Sequence, residues 1–234
     1  MEYGSRKQNL PSPWPVATLV LLGANIAYLV FLYVTGAMGS SAGMVQYGAI
    51  YIPYVVQNHE YFRLITAMFM HFNLQHIFGN MLLLIMLGRL LEREFGVLKF
   101  VLMYLVIGVI ANIASVYFYA KYSPFTITAG ASGAVLGLVG IMVWILIVNR
   151  GRYQGISLSR IVFMIIFTIY NGVMGGGINN IAHIAGLACG FVCGILFYRP
   201  YREDGPDDRD RYYRDSYERN RKYRDPNDRR NIMP

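Results

Sequence analysis

The sequence predicts an all-α polytopic membrane protein, built as a bundle of six transmembrane helices with a long membrane-associated first loop. Hydrophobic residues make up 55% of its 234 residues, and charged residues make up only 15%. Soluble domains usually contain roughly 25% charged residues. The charges are also unevenly placed, because 20 of the 34 Lys, Arg, Asp and Glu residues follow Tyr198. Most of the chain is therefore apolar enough to lie in a bilayer.

Six apolar segments fit a hydrocarbon core about 30 Å thick. They are residues 15–36, 74–91, 98–119, 130–149, 161–173 and 181–198. The segment 37–70 is broken by Gly, Pro and charged residues and is rich in Tyr and Phe, as segments at a membrane interface are. A glycine-rich loop, residues 172–180, precedes the last span. We therefore expect a short N-terminal segment (1–14), a six-helix domain (15–198) and a charged, disordered tail (199–234).

The distribution of basic residues predicts the orientation of the chain. One side of a six-span path carries the bases of the tail and also Arg6, Lys7, Arg89, Arg93, Lys99, Arg150, Arg152 and Arg160. The loops on the opposite side contain only Arg63 and Lys121. The positive-inside rule then places both termini in the cytoplasm. We expect a bacterial plasma membrane protein whose first loop and glycine-rich loop face outward. The net charge of +8 is explained by these bases on one membrane side and does not require a nucleic-acid partner.

Ser132 lies in a stretch that suits acyl transfer. It stands between Gly130-Ala131 and Gly133, immediately before a long apolar run. If that run is a helix, Ser132 is in its first turn, where backbone N–H groups have no intrahelical acceptor. The stretch then offers a hydroxyl, free donors and glycines that let another backbone approach. Taken alone, the same pattern is also typical of a helix cap or of a packing patch of small residues.

His183 is the candidate base for this serine. It lies near the outer end of the sixth span, at a depth similar to that of Ser132 if each residue rises about 1.5 Å. The fourth and sixth spans both carry stripes of glycine, namely Gly133, Gly137 and Gly140 in one and Gly186, Gly190 and Gly194 in the other. Such surfaces let membrane helices pack backbone to backbone. We therefore expect contact between the two side chains, although a lone intramembrane histidine can also serve packing or a proton relay.

His76 and Asn80 complete the candidate site. They lie four residues apart near the outer end of the second span, and therefore on one helical face. In the catalytic interpretation, Ser132 is the nucleophile and His183 is the base that later acts as acid. His76 and Asn80 would stabilise the oxyanion together with the backbone N–H of the serine. No carboxylate lies in a span near the base, so a dyad is expected. The His76–Asn80 pair could instead be an interhelical polar clamp.

These motifs resemble those of the rhomboid intramembrane serine proteases. Residues 130–133 resemble the nucleophile motif of that family, and residues 182–190 resemble its Ala-His-x-x-Gly-x-x-x-Gly helix. Residues 71–80 are similar to its His-x4-His-x3-Asn segment. The resemblance covers about residues 15–198. It implies a rhomboid-like six-helix bundle, a Ser132–His183 dyad and cleavage of transmembrane protein substrates near the outward ends of their spans.

The resemblance also implies supporting residues. Arg63, preceded by Phe62 in place of the usual tryptophan, resembles the Trp-Arg pair of the first loop. Glu92 falls where the family keeps a structural glutamate at the inner end of the second span. The motifs themselves further include His71, Gly130, Gly133, Gly186 and Gly190. Leu136 stands where members often place an aromatic ring on the histidine, and we expect this departure to loosen His183.

The leading hypothesis is a serine endopeptidase that lies in the lipid bilayer, acts on transmembrane protein substrates and needs no cofactor. A non-catalytic relative that binds or chaperones membrane proteins would typically lack the serine or the histidine. A six-span transporter would carry ionisable residues at mid-depth. Metal-dependent hydrolysis is disfavoured because the chain has no His-Glu-x-x-His. Cys189 and Cys193 are predicted to be small buried residues. The sequence leaves the oligomeric state and the physiological substrate open.

Overall fold

The computed structural model describes the backbone of residues 15–174 and 179–200, and the side chains of residues 15–166 and 179–200. The predicted N-terminal segment (1–14), the centre of the glycine-rich loop (175–178) and the tail from residue 201 onward lie outside the described residues. The expectations for those three segments therefore stay predictions.

The described chain is mostly helical. Its helices are α1 (Val16–Val34), α2 (Ser41–Gln46), α3 (Ile52–Val56), α4 (Arg63–Thr66), α5 (Leu74–Phe95), α6 (Val97–Tyr122), α7 (Ser132–Val148), α8 (Leu158–Met174) and α9 (Asn180–Phe197). Two antiparallel ribbons, which the all-α prediction missed, pair β1 (Ile50–Tyr51) with β2 (Ile127–Thr128) and β3 (Arg152–Tyr153) with β4 (Ile156–Ser157). Strands of two residues carry no periodic signal, so their pairing is visible only in the folded chain.

Four of the described helices, α1, α5, α6 and α9, are long and apolar enough to cross a membrane. Helix α7 is apolar as well, with 17 residues. The second predicted span was too short, because α5 continues one turn past Leu91 to Phe95. The glycine-rich loop was predicted to begin at residue 172, but α8 continues to Met174.

Helix α7 forms the centre of the bundle. Every residue from 133 to 142 is buried, and the helix packs against α5, α6, α8 and α9. A helix that is apolar on all sides lies either in a protein core or in lipid, and here the neighbouring helices cover it. Its first residue, Ser132, therefore begins at the middle of the bundle rather than at its periphery.

Glycine makes the contact between α7 and α9 possible. A Cβ atom added to Gly186 would overlap the carbonyl oxygen of Gly133, and one added to Gly190 would overlap that of Gly137. A Cβ at Gly140 would likewise overlap the carbonyl of Leu187 on α9. The two helices therefore pack backbone to backbone, as the glycine stripes predict.

Glu92 joins α5 to the beginning of α1. Its carboxylate accepts hydrogen bonds from the backbone N–H of Ala17 at 2.9 Å and from that of Thr18 at 2.8 Å, and from the Thr18 hydroxyl at 2.7 Å. The first-turn N–H groups of a helix lack intrahelical partners and favour a negative charge. The buried carboxylate thus caps α1 through Thr18, which lies 74 positions away in sequence.

Arg63 holds the first loop together. Its guanidinium donates to the carbonyls of Val45 at 2.6 Å and Ala49 at 2.9 Å, and it forms an ion pair with Glu60 at 2.6 Å. The ring of Phe62 lies 5.2 Å from the guanidinium carbon. Residues 45–63 are thereby fixed around one buried cation.

Candidate active site

The structure brings Ser132 and His183 into direct contact. The Oγ atom of Ser132 lies 2.7 Å from Nε2 of His183, although the residues are 51 positions apart. The serine is the first residue of α7 and the histidine is the fourth residue of α9. In the tautomer with Nδ1 protonated, Nε2 accepts the hydroxyl hydrogen. This is the geometry in which a histidine can take a proton from a nucleophile.

Among the described side chains, no carboxylate bonds to the second ring nitrogen of His183. Nδ1 is buried and makes no hydrogen bond to any residue whose side chain the structure describes. A catalytic triad would place a carboxylate there to orient the ring. The described part of the site is therefore arranged as a pair rather than a triad.

Gly130 allows the serine to lie at the start of α7. Its φ of +137° is a conformation that residues with a side chain rarely adopt. Its N–H donates to the carbonyl of Ala67 at 2.9 Å, which fixes the turn against the first loop. A Cβ atom at this position would also lie 2.7 Å from Cε1 of His76, too close for a real contact. Glycine is thus required both for the backbone conformation and for the space.

His76 faces the same small space as the serine hydroxyl. A Cβ built on Gly130 would lie 2.9 Å from Nε2 of His76 and 3.7 Å from Oγ of Ser132. The His76 backbone N–H donates to the Oδ1 of Asn73, the N-cap of α5, at 2.8 Å. This cap sets the first turn of α5, and with it the position of the His76 ring.

Asn80 has a partner that the sequence did not predict. Its Nδ2 donates to Nε2 of His71 at 3.0 Å, and both side chains are buried. The ring of His71 also packs edge-on against that of His76, with centroids 5.0 Å apart. Burial, with the nearby His76 as a second cause, lowers the pKa of His71 to about 3, so its ring is neutral and can accept. One hydrogen of the Asn80 amide is therefore engaged by His71.

Three helix N-termini meet at this site. His76 is the third residue of α5, Ser132 is the first of α7, and His183 is the fourth of α9. Each helix N-terminus carries a partial positive charge of about 0.5 and presents backbone N–H groups without intrahelical partners. The site is therefore suited to stabilise a negative charge that develops beside the serine.

Other residues singled out in the sequence lie apart from this centre. Leu136 is buried in the core one turn after Ser132, with 4% of its surface exposed. Cys189 and Cys193 are free thiols of intermediate exposure, so they are less buried than predicted. Within residues 15–166 and 179–200, no group of three His, Cys, Asp or Glu side chains forms a metal-binding cluster. Sequence reasoning also missed Asn179, the N-cap of α9, although an asparagine just before an apolar run is a usual helix-start signal.

Comparison with known proteins identifies the family. The family model described as a Rhomboid domain matches residues 58–200, which is more than half of the chain. The chain belongs to the rhomboid family. Rhomboid protease GluP of Bacillus subtilis is 31% identical over 186 residues, which cover 80% of this chain and 36% of the relative. RHOMBOID-like protein 6, mitochondrial, of Arabidopsis thaliana is 38% identical over 164 residues, with coverages of 69% and 52%.

A third rhomboid relative comes from Toxoplasma gondii. Rhomboid-like protease 1 of Toxoplasma gondii is 30% identical over 193 residues, which cover 76% of this chain and 63% of the relative. The chain spans between about a third and two thirds of the length of these three relatives. The similarity therefore establishes the family of the chain.

Proposed function

We propose that this chain is an intramembrane serine endopeptidase whose catalytic dyad is Ser132 and His183. The observation that supports it most directly is the 2.7 Å contact between Oγ and Nε2 at the meeting point of three helix N-termini. Two relatives, from Bacillus subtilis and Toxoplasma gondii, are named as proteases. The non-catalytic alternative, a rhomboid-like binder or chaperone of membrane proteins, has no need of that contact.

The proposed reaction follows from the positions of the groups. Ser132 Oγ attacks the scissile carbonyl while His183 Nε2 takes the hydroxyl proton. In this proposal the resulting oxyanion is stabilised by the Ser132 backbone N–H, by the His76 ring and by the second hydrogen of the Asn80 amide. His183 then gives its proton to the leaving amine. Water, activated by the same ring, hydrolyses the acyl-enzyme and restores the dyad.

In the proposed membrane arrangement, α1 and α5 to α9 are the six spans, and both termini lie in the cytoplasm. The site then opens toward the outer side, because residues 74, 132 and 180 begin helices that enter from there. The bases at the opposite ends of these helices favour this orientation. The relatives include plant and mitochondrial proteins, so they do not decide which membrane holds this chain. A bacterial plasma membrane remains our prediction.

The proposed substrate is a transmembrane segment that unwinds readily near its outward end. A peptide bond in a helix is shielded by its own hydrogen bonds, and exposing backbone groups in lipid costs several kcal/mol each. We therefore expect Gly, Pro or polar residues below the cleaved bond. A small residue is expected at the bond itself because Gly130, Ala131 and Gly133 surround the serine.

The experiment is cleavage of a model single-span substrate by the purified full-length protein in liposomes. Ser132→Ala and His183→Ala should each abolish cleavage while leaving a folded membrane protein. Replacing the helix-breaking residues of the substrate with leucine, with the cut residue kept, should slow cleavage. Cleavage by Ser132→Ala at the parent rate would refute the dyad. Substrate binding without any cleavage by the parent would favour the non-catalytic alternative.

A further inference from the structure

The first turn of α9 is held by a residue that takes no part in the proposed reaction. Asn179 is the N-cap of α9, and its Oδ1 accepts from the Ala182 N–H at 3.0 Å. Its backbone carbonyl accepts from the His183 N–H at 3.1 Å. Such bonds satisfy donors that the start of a helix otherwise leaves open. The turn that contains the proposed base is therefore built on this asparagine.

The same side chain also reaches a neighbouring helix. Nδ2 of Asn179 donates to Oγ of Ser115 on α6 at 2.6 Å. The Ser115 side chain is completely buried, with 0% of its surface exposed. A buried hydroxyl without a hydrogen-bond partner is costly, so this bond is strongly favoured. It fixes the orientation of the cap and thereby the place of the first turn relative to α6.

Helix α6 is also the neighbour of the serine. Ala111, four residues before Ser115 and so on the same face of α6, packs against Gly133, where a built Cβ would lie 2.8 Å from the alanine Cβ. One face of α6 therefore contacts the chain beside Ser132 and also holds the turn that contains His183. The contact of Gly133 with this turn of α9 is looser, because a Cβ built there would lie 3.5 Å from the carbonyl oxygen of Ala182.

We propose that Asn179 and Ser115 form a positioning pair that orients His183 toward Ser132. This inference rests on the proposed hydrolytic function. Neither member of the pair takes part in the reaction itself, so both act through the histidine. Misplacing a base chiefly affects the chemical step, so loss of the pair should lower kcat and leave KM nearly unchanged.

The test compares variants that separate two bonds of Asn179: the tie, which is its bond to Ser115, and the cap, which is its bond to the Ala182 N–H. Asn179→Ser keeps an oxygen that can cap α9 but is too short to reach Ser115. Ser115→Ala keeps the cap and removes the tie. Each should lower kcat about tenfold, or about 1.4 kcal/mol, with KM within about twofold. The double variant should be no slower than the slower single variant, since both remove one interaction. Ser115→Thr, which retains the hydroxyl, should keep most of the parent kcat.

Asn112 supplies a matched control on the same helix. Its Nδ2 donates to the carbonyl of Leu64 at 2.8 Å, so it ties α6 to the first loop rather than to α9. Asn112→Ala should lower the Tm of the protein, as Ser115→Ala does, but leave kcat unchanged. Hydrogen exchange should also distinguish Ser115→Ala from Asn112→Ala. The peptide covering residues 179–186 should exchange faster in Ser115→Ala and at the parent rate in Asn112→Ala.

Several results would overturn the positioning role of Asn179 and Ser115. They are parent-like kcat in both single variants, losses that multiply in the double variant, or an equal loss of kcat in Asn112→Ala. Unchanged hydrogen exchange in Ser115→Ala would overturn it without reference to activity. Ser132→Ala, measured alongside, keeps the two proposals apart. Cleavage that survives in Ser132→Ala refutes the proposed function. Cleavage that requires Ser132 but is unchanged in the Ser115 and Asn179 variants refutes only the positioning role.

Discussion

Adding one methyl group at Gly186 should disable the site. A Cβ there would overlap the carbonyl oxygen of Gly133, and real Cβ atoms essentially never approach another heavy atom within 3.0 Å. We therefore expect α9 to move from α7 by about 1 Å, a displacement that typically costs about 10²-fold in rate when it misplaces a reacting group. The 2.7 Å contact between Ser132 and His183 would then exceed hydrogen-bonding distance.

The assay is kcat/KM for a model substrate in detergent, with the Tm measured on the same samples. Gly186→Ala should lose about 10²-fold in kcat/KM and should also melt at a lower temperature, because overpacking costs about 1–3 kcal/mol. Gly23→Ala is the matched control, since a Cβ at Gly23 on α1 meets nothing within 4 Å. Parent-like activity of Gly186→Ala would show that the glycine contact does not set the distance between the dyad residues.

Three further predictions concern the residues around the dyad. Glu92→Gln should lower the stability by about 2 kcal/mol, because an amide nitrogen would then face a backbone N–H of α1; an unchanged Tm would refute its role as a cap. Arg63→Lys should expose residues 45–63 to limited proteolysis, because one ammonium group cannot make all the bonds of the guanidinium to Val45, Ala49 and Glu60. An unaltered digestion pattern would contradict this. His76→Ala and Asn80→Ala should each reduce kcat by about 10²–10³, less than the loss in Ser132→Ala; full activity in both would leave them as interhelical clamps.

Features that depend on local sequence could be predicted well. The long apolar runs gave most helix positions, because membrane helices need about 20 apolar residues in succession. The glycine stripes predicted the backbone contact between α7 and α9, since only small residues permit it. The contact between Ser132 and His183 was predicted from their similar depth on two helices expected to touch.

Other contacts between distant segments could not be predicted from the residues. Asn80 contacts His71 and Asn179 contacts Ser115 because tertiary packing brings their segments together. Hydrophobic periodicity does not predict either contact. The pairing of β1 with β2 joins two-residue strands more than 70 positions apart in the chain. The role of Glu92 was implied only by the family resemblance, because its partners belong to another helix.

Labelling by a fluorophosphonate probe tests the central claim most directly. The probe reacts with a serine only when a neighbouring base activates its hydroxyl, so it reports the Ser132–His183 contact without any choice of substrate. We expect the purified parent protein to be labelled at Ser132, Ser132→Ala to remain unlabelled and His183→Ala to react far more slowly. Equal labelling of the parent and Ser132→Ala, or no labelling of a folded parent, would contradict a catalytic dyad in this protein.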